Sequence, residues 1–253
     1  MNIALFTEDE INQPLSVKDG RGKHIIKVLH KNVGETFDAG IINKEAGIAT
    51  ITKIDENFIY FDFEPKSDGK PLHPVCLIVG FPRPIQLKRL FRDVAGLGVE
   101  NLYLCGTELG EKSYMDSNIV AGGGAENALL EGTVQAKSTH VPEIKVFATV
   151  KECLDFVKSE NPDKHNIKTI LDNVKPKGSL FCFLNKALKS VDQNNAKPYI
   201  YAAIGSERGW TDRERELFEK EGFSACSMGE RVLRTETAAT VATTLIMQSL
   251  EIL

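Results

Sequence analysis

Short apolar runs set off by Gly and Asp open the chain. Ile41-Ile42, Ile48 to Ile54 and Phe58 to Phe63 alternate with turn formers, so residues 1–70 read as β-rich. Asn57-Phe58-Ile59-Tyr60-Phe61-Asp62-Phe63 carries the β-branched and aromatic side chains that suit a pleated surface, at about strand length. Glu64-Pro65-Lys66-Ser67-Asp68-Gly69-Lys70-Pro71 is dense in turn formers and charge and reads as a linker.

Past that point the period changes. Pro74 to Phe81 is a buried-strand run. From Ile85 to Leu97, apolar residues recur at Leu87, Leu90, Phe91 and Val94, a helical spacing that stops at Gly98. Asn101 to Cys105 is strand-like, and part of 116–136 predicts a long helix. Ile144 to Phe147 and Lys168 to Leu171 are further short strands, with a helix near 149–158 between them. Pro198 to Ile204 predicts a strand. Thr211-Asp212-Arg213-Glu214 has the form of a capping box, so a helix should begin there and end near Gly222. Phe223 to Met228 is the last strand and Thr235 to Ile252 the last helix. On that helix Ala238, Val241, Ala242, Leu245, Ile246 and Leu250 can form one apolar stripe. Strand alternating with helix over the last 180 or so residues implies an α/β domain at 71–253, built on a mostly parallel sheet covered by helices.

Composition narrows this picture. The 253 residues are 42% hydrophobic and 26% charged, enough for a real core in one large or two modest domains. No apolar run is long enough to span a bilayer, and the acidic start (Glu8, Asp9, Glu10) does not resemble a secretory signal. Five scattered cysteines without a Cys-x-x-Cys pair argue against a disulfide framework and against a zinc site, so a reducing cytoplasm and no metal are expected. Cys182 and Cys226 read as core residues. A formal charge of −4 means that nucleic acid must be held by local basic patches rather than bulk attraction. Two patches are candidates, although a charge run such as Lys18 to Lys31, taken singly, reads by default as a solvated face. Lys18, Arg21, Lys23, Lys27 and Lys31 face only Asp19 in their stretch, and Arg83, Lys88, Arg89 and Arg92 cluster on the first helix of the α/β region. Gly122-Gly123-Gly124 is a loop without the Gly-Lys-Ser/Thr that a phosphate loop needs.

The chemistry concentrates near the C-terminus. Ile204-Gly205-Ser206-Glu207-Arg208-Gly209-Trp210 and Met228-Gly229-Glu230-Arg231-Val232-Leu233-Arg234-Thr235-Glu236-Thr237-Ala238 each follow a strand and precede a helix. Two glycine-bearing turns at the carboxyl ends of strands make a place for a nucleotide-like ligand in an open α/β sheet. Gly205, Gly209 and Gly229 are expected to supply positive φ and close approach. Each glycine alone reads as a simple turn residue; the combined pattern points to a ligand.

These residues resemble the RsmE-type RNA methyltransferases of the SPOUT class, which methylate N3 of a uridine in small-subunit ribosomal RNA. The family pattern Ile-Gly-Pro-Glu-Gly-Gly is matched at Gly205, Glu207 and Gly209. The later Leu-Gly-x-Arg-Ile/Val-Leu-Arg-x-Glu-Thr-Ala is matched at Gly229, Arg231, Val232, Leu233, Arg234, Glu236, Thr237 and Ala238. Gly22 to His30 is similar to the family's N-terminal His-x-x-Arg-Val-Leu-Arg segment, and Val141-Pro142-Glu143-Ile144 to its Val-Pro-x-Ile.

The resemblance implies a small PUA-like RNA-binding β-barrel at 1–70, followed at 71–253 by a SPOUT domain whose last strand and helix thread a trefoil knot. It implies S-adenosylmethionine as cofactor, held by backbone around Ile204, Gly205, Glu207, Gly209, Met228, Gly229, Val232 and Leu233. Arg234 would stabilise a developing uracil anion, with Glu207 or Glu236 as proton acceptor. Glu236 reads equally as a carboxylate placed by the helix dipole. Arg21, Lys23, Lys27, Arg83, Lys88, Arg89 and Arg231 would contact RNA. The partners implied are small-subunit rRNA or the assembled subunit, and a second copy of the chain, for whose interface the apolar last helix is suited.

The chain departs from the pattern at several places. Ser206 stands for proline, Arg208 for glycine and Glu230 for a common proline. The mid-chain Glu-Gln-x-x-Arg element is reduced to Val134-Gln135-Ala136-Lys137-Ser138, with Lys137 or His140 as candidates to replace its arginine. An RNA-binding module without turnover and a ribose 2′-O-methyltransferase are the rival readings.

Overall fold

Alternation along the early strands builds the first sheet. In the computed structural model, which describes residues 2–117, 120, 122–160, 166–190 and 198–253, the chain groups into two units. The first comprises Met1–Leu72 with Leu130–Val141; the second comprises His73–Leu129 with Pro142–Leu253.

In the first unit, strands β1 (Ala4–Phe6), β2 (Leu15–Ser16), β3 (Thr36–Ile41), β4 (Ala46–Ile54) and β5 (Phe58–Ser67) form a small sheet in the order β1-β3-β4-β5-β2. Pairing is antiparallel except between β1 and β3. Ala49 and Ile51 of β4 point inward to a core with Phe6, Phe37 and Ile59. Phe61 packs its ring 5.2 Å from Phe6 and 5.6 Å from Phe37. The stretch expected to be a linker is partly strand, because β5 runs on through Pro65 to Ser67. Proline is tolerated there because Pro65 pairs with Gly47 beside a register shift, while β2 covers only the Phe58 end of β5.

The basic stretch folds as helix α1 (Gly20–Lys27), which the apolar pattern did not predict. Asp19 caps it by accepting from the Arg21 amide at 2.8 Å.

In the second unit, strands β6 (His73–Gly80), β7 (Val99–Cys105), β8 (Glu143–Phe147), β9 (Asn166–Leu171), β10 (Tyr199–Ile204) and β11 (Ser224–Cys226) form one sheet, all parallel, in the order β11-β9-β10-β6-β7-β8. The remaining helices are α2 (Pro84–Gly96), α3 (Gly124–Gln135), α4 (Val150–Glu160), α5 (Leu180–Ser190), α6 (Asp212–Lys220) and α7 (Thr235–Ser249); all belong to the second unit except the part of α3 from Leu130 on, which belongs to the first. The helix expected within 116–136 is α3; residues 118, 119 and 121 lie outside the described ones. Strands β6 and β10 are buried at every position except the first two of β6, as expected of strands covered on both faces.

Local signals set the helix ends. Pro84 occupies the first turn of α2, where its missing N–H costs no hydrogen bond, and Gly98 ends the helix at φ +73°. The capping box of α6 is complete. The Glu214 amide donates to Thr211 Oγ1 at 3.1 Å, and the Thr211 amide donates to Glu214 Oε2 at 2.8 Å. Helix α7 buries Ala238, Ala239, Ala242, Ile246 and Met247 within its own unit, so the expected stripe is displaced by part of a turn, leaving Val241 and Leu245 half-buried. Cys226 is buried, but Cys182 is exposed on α5, against the expectation of a core residue.

Strand β11 is hydrogen-bonded on both edges by one continuous stretch of chain. Ser224 to Cys226 pair with Thr169 to Leu171 of β9. On the other edge the Lys177 amide donates to Ala225 O at 2.8 Å, and Ser227 N donates to Gly178 O at 2.9 Å.

Candidate functional site

The strand order turns over between β6 and β10, the place where an open α/β sheet leaves a crevice at the carboxyl ends of its strands. There the chain makes a cavity of about 650 Å³. Its walls are the residues that immediately follow β9, β10 and β11: Leu171 to Val174, Ile204 to Trp210, and a set running from Cys226 to Thr235. Arg83 and Gln86 from the start of α2, Arg215 from α6 and Ala238 from α7 complete it.

The two glycine-bearing loops lie side by side. Thr235 Oγ1 donates to the carbonyl of Gly205 at 3.3 Å and ties one to the other. Gly205 is required for close approach, since a Cβ there would sit 3.0 Å from Gly209 Cα. The expectation of positive φ at Gly205 is therefore corrected; Gly209 (φ +71°) and Gly229 (φ +114°) are the left-handed positions. Ser206, in place of the resembled proline, is buried and accepts from Thr107 Oγ1 at 3.0 Å, so its hydroxyl anchors the loop to the segment after β7. Arg208 is exposed on the rim and leaves the cavity open.

Of the residues singled out from sequence, Ile204, Gly205, Glu207, Gly209, Met228, Val232, Leu233, Arg231, Arg234 and Arg83 line this one cavity. Gly229 sits between lining residues, with open space where a Cβ would be. Arg83 and Glu207 are joined, with Nε donating to Oε2 at 3.1 Å. Among the described residues Arg208, Arg231 and Arg234, which all line the cavity, make no ion pair.

Several candidates fall elsewhere. Glu236 does not line the cavity. It is buried at 2% exposure, and its Oε2 has no hydrogen-bond partner among the described residues. Arg21 uses all five of its N–H groups within the first unit: Nε and Nη2 on Asp19, both terminal nitrogens on Glu10, and Nη1 also on Leu5 O. Its guanidinium also lies 4.7 Å from the Phe6 ring centre. These bonds give Arg21, expected as an RNA contact, a structural use within the first unit, and its guanidinium holds the Glu10 and Asp19 carboxyls below their usual range. Lys23 and Lys27 are exposed on α1. Lys88 and Arg89 are exposed on α2 and do not line the cavity; Arg89 pairs with Asp93 at 3.6 Å. Lys137 pairs with Asp38 at 2.6 Å in the first unit, and neither it nor His140 lines the cavity.

Sequence reasoning missed Asp172 and Arg215. Asp172 accepts from Arg215 Nε at 2.8 Å and Nη2 at 3.1 Å, and from the amides of Val174 at 3.2 Å and Lys175 at 3.1 Å. Burial alone would raise the Asp172 pKa, but the guanidinium and the two amides outweigh it and hold the carboxyl below its usual value. Its place directly after a strand of a parallel sheet was the available signal. Trp210, whose Nε1 donates to Leu171 O at 3.2 Å, braces the same corner.

The RNA methyltransferase domain family matches residues 68–247. Ribosomal RNA small subunit methyltransferase E of Treponema pallidum is 40% identical over 251 residues, covering 98% of this chain and 91% of its own. The chain belongs to the ribosomal RNA small subunit methyltransferase E family. Ribosomal RNA small subunit methyltransferase E 1 of Borreliella burgdorferi is 32% identical over 249 residues and is matched over 98% of both chains. The fold agrees with a crystal structure of the family's Neisseria gonorrhoeae member bound to S-adenosyl methionine, at a TM-score of 0.71, 20% identity, and coverage of 99% of this chain and 98% of that one. The cavity in this chain is walled by the two glycine-bearing loops together with Asp172, Arg215 and Trp210.

Proposed function

We propose that this protein is an S-adenosylmethionine-dependent rRNA methyltransferase that modifies N3 of a uridine in the small-subunit RNA. The observation that carries the reading is the pairing of loops 204–210 and 226–235 around one cavity, in a chain of this family. The cavity fits the donor in size and in kind. About 650 Å³ lies within the range of small-molecule sites, and the lining mixes Leu171, Ile204, Trp210 and Met228 with backbone polar groups and charged residues. Open space at Gly209 and Gly229 lets a ligand approach the backbone, and Gln86 carries a buried Oε1 without a partner among the described residues. S-adenosylmethionine, held by Ile204, Gly205, Glu207, Gly209, Met228, Gly229, Val232 and Leu233, supplies an electrophilic methyl group.

The remaining work falls to side chains. The uracil N3–H is a weak acid, and its nitrogen is a poor nucleophile until the proton leaves. Among the described residues two carboxylates lie on the cavity wall; Asp172 is committed to Arg215 and two amides, and Glu236 is turned into the interior, which leaves Glu207 to take that proton. Arg234, charged at every working pH, stabilises negative charge developing on the uracil oxygens. Rigid loops supply alignment, a large part of the acceleration in an in-line displacement. Arg231, Arg83, Lys88 and Arg89 in the second unit, and Lys23 and Lys27 in the first, are the proposed RNA contacts.

The first unit is read as a PUA-like barrel, supported by its small, mostly antiparallel five-stranded sheet. A trefoil knot is supported by β11, which is flanked on both edges by the single stretch 169–180. A homodimer is supported by the half-buried Val241 and Leu245 on the flank of α7. Action on rRNA goes with a cytoplasmic location, and among the described residues no helix is long and apolar enough to cross a membrane.

The test is methyl transfer from labelled S-adenosylmethionine to small subunits from a strain lacking this protein, followed by nucleoside analysis. N3-methyluridine is the expected product. A ribose-methylated nucleoside, or no heat on titration with S-adenosylmethionine, would sink the reading. Arg234→Ala should lower turnover by about 10²-fold and leave donor affinity within about threefold. Equal loss of both would mean that Arg234 shapes the pocket rather than the reaction.

A further inference from the structure

We propose that Arg208 grips an RNA phosphate at the mouth of the cavity and positions the substrate there, a reading that rests on the methyl-transfer function above. Residues 206–209 form a tight turn closed by Gly209 N donating to Ser206 O at 2.8 Å, with Gly209 at φ +71°. The base of the turn is fixed. Ser206 is buried and accepts from Thr107 Oγ1, and Gly205 packs directly on Gly209. The two tip residues, Glu207 and Arg208, are exposed.

The tip residues differ in their partners. Glu207 is held by Arg83, whereas Arg208 makes no ion pair among the described residues. Arg208 also lies on a ridge. It lines the 650 Å³ cavity on one side and, on the other, a smaller cavity of about 100 Å³ walled in part by Phe81, Leu109 and Tyr114.

Charge completes the argument. Among the described residues, the cavity that Arg208 lines carries five arginines (Arg83, Arg208, Arg215, Arg231, Arg234) against two carboxylates (Asp172, Glu207) in a chain whose formal charge is −4, and the surplus positive charges repel one another. A phosphodiester backbone is the ligand that relieves that repulsion, because a guanidinium fork matches phosphate oxygens two at a time. The resembled motif has glycine at this position. A turn anchored at its base and free at its tip suits a positioning residue, which holds RNA without touching the reacting atoms.

The experiment uses full-length protein with Arg208→Gly, Arg208→Gln and Arg208→Lys. Binding of purified small-subunit rRNA is measured by filter retention across roughly 50 to 200 mM salt, the range over which phosphate contacts register most clearly. Donor affinity is measured by calorimetry. The glycine and glutamine variants should bind RNA about tenfold more weakly at low salt, the loss expected for one charged hydrogen-bonded contact. Their salt slope should be shallower by about 0.7 to 0.9, the value of a single released counterion. Donor affinity should stay within twofold, KM for RNA should rise while kcat holds, and lysine should restore the slope. An unchanged slope in both neutral variants overturns the proposal, as does a loss of donor affinity equal to the loss for RNA. The salt slope does not depend on turnover. A wild-type protein that binds RNA but forms no N3-methyluridine would therefore sink the proposed reaction and still leave Arg208 testable.

Discussion

Replacing Asp172 with asparagine removes one charge from a nearly buried ion pair. The Asp172 side chain is 4% exposed and that of Arg215 16%. Two guanidinium nitrogens and two backbone amides converge on the carboxylate within 3.2 Å. Breaking a buried pair from one side costs about 3–5 kcal/mol, because the surviving charge is left uncompensated. Here Arg215 keeps Asp212 at 2.9 Å, but the Asp212 side chain is 69% exposed and softens the loss only slightly. The expected cost is therefore at the low end, about 3 kcal/mol. In a domain of this size that corresponds to a fall in Tm of about 6–12 °C. Scanning calorimetry of wild type and variant, both free of donor so that ligand binding does not mask the difference, reads it directly. The pH dependence is a second check. The folded pKa of Asp172 lies below its unfolded value, so its stabilisation is complete above the unfolded pKa, near about 3.9, and is lost as pH falls through the folded pKa. The difference between wild type and variant must accordingly shrink in acid. A loss below about 1 kcal/mol at neutral pH, or a difference that persists unchanged to about pH 2, would refute the account.

Two further substitutions separate structure from chemistry. Arg21→Met should destabilise the first unit by about 3 kcal/mol, seen as faster proteolysis of that unit, with the salt slope for RNA unaltered; a shallower slope at unchanged stability would return Arg21 to the RNA contacts. Glu207→Gln should cut turnover by about 10²-fold, whereas Glu236→Gln should leave turnover within about threefold and show its effect in Tm; the reverse order would make Glu236 the proton acceptor.

What could be read from the sequence was what neighbours along the chain decide. The helix after β6 showed in the spacing of Leu87, Leu90, Phe91 and Val94, its end in Gly98, and the start of α6 in Thr211 and Glu214. These signals act within a turn or two of backbone and do not depend on the rest of the fold. Helix α1 escaped notice because Gly20 and Gly22 weaken its apolar pattern, and only its burial and the Asp19 cap hold it. The glycine-bearing loops were visible as motifs, and their neighbourhood followed from the resemblance they carry.

The tertiary structure decided which charges meet. Asp172 and Arg215 are 43 residues apart, and Arg83 and Glu207 are 124 apart. Nothing local marks either pair. Their contact depends on β9, β10 and β6 lying side by side with their carboxyl ends together, an order fixed by how the strands cross over rather than by any one segment. The same geometry turned Glu236 into the interior and left Arg208 on the rim, although both stand in motifs of similar charge. Sequence names the ionisable groups, and only packing determines which are buried, which are paired and which face the cavity, because burial and distance set the strength of a charge's interactions.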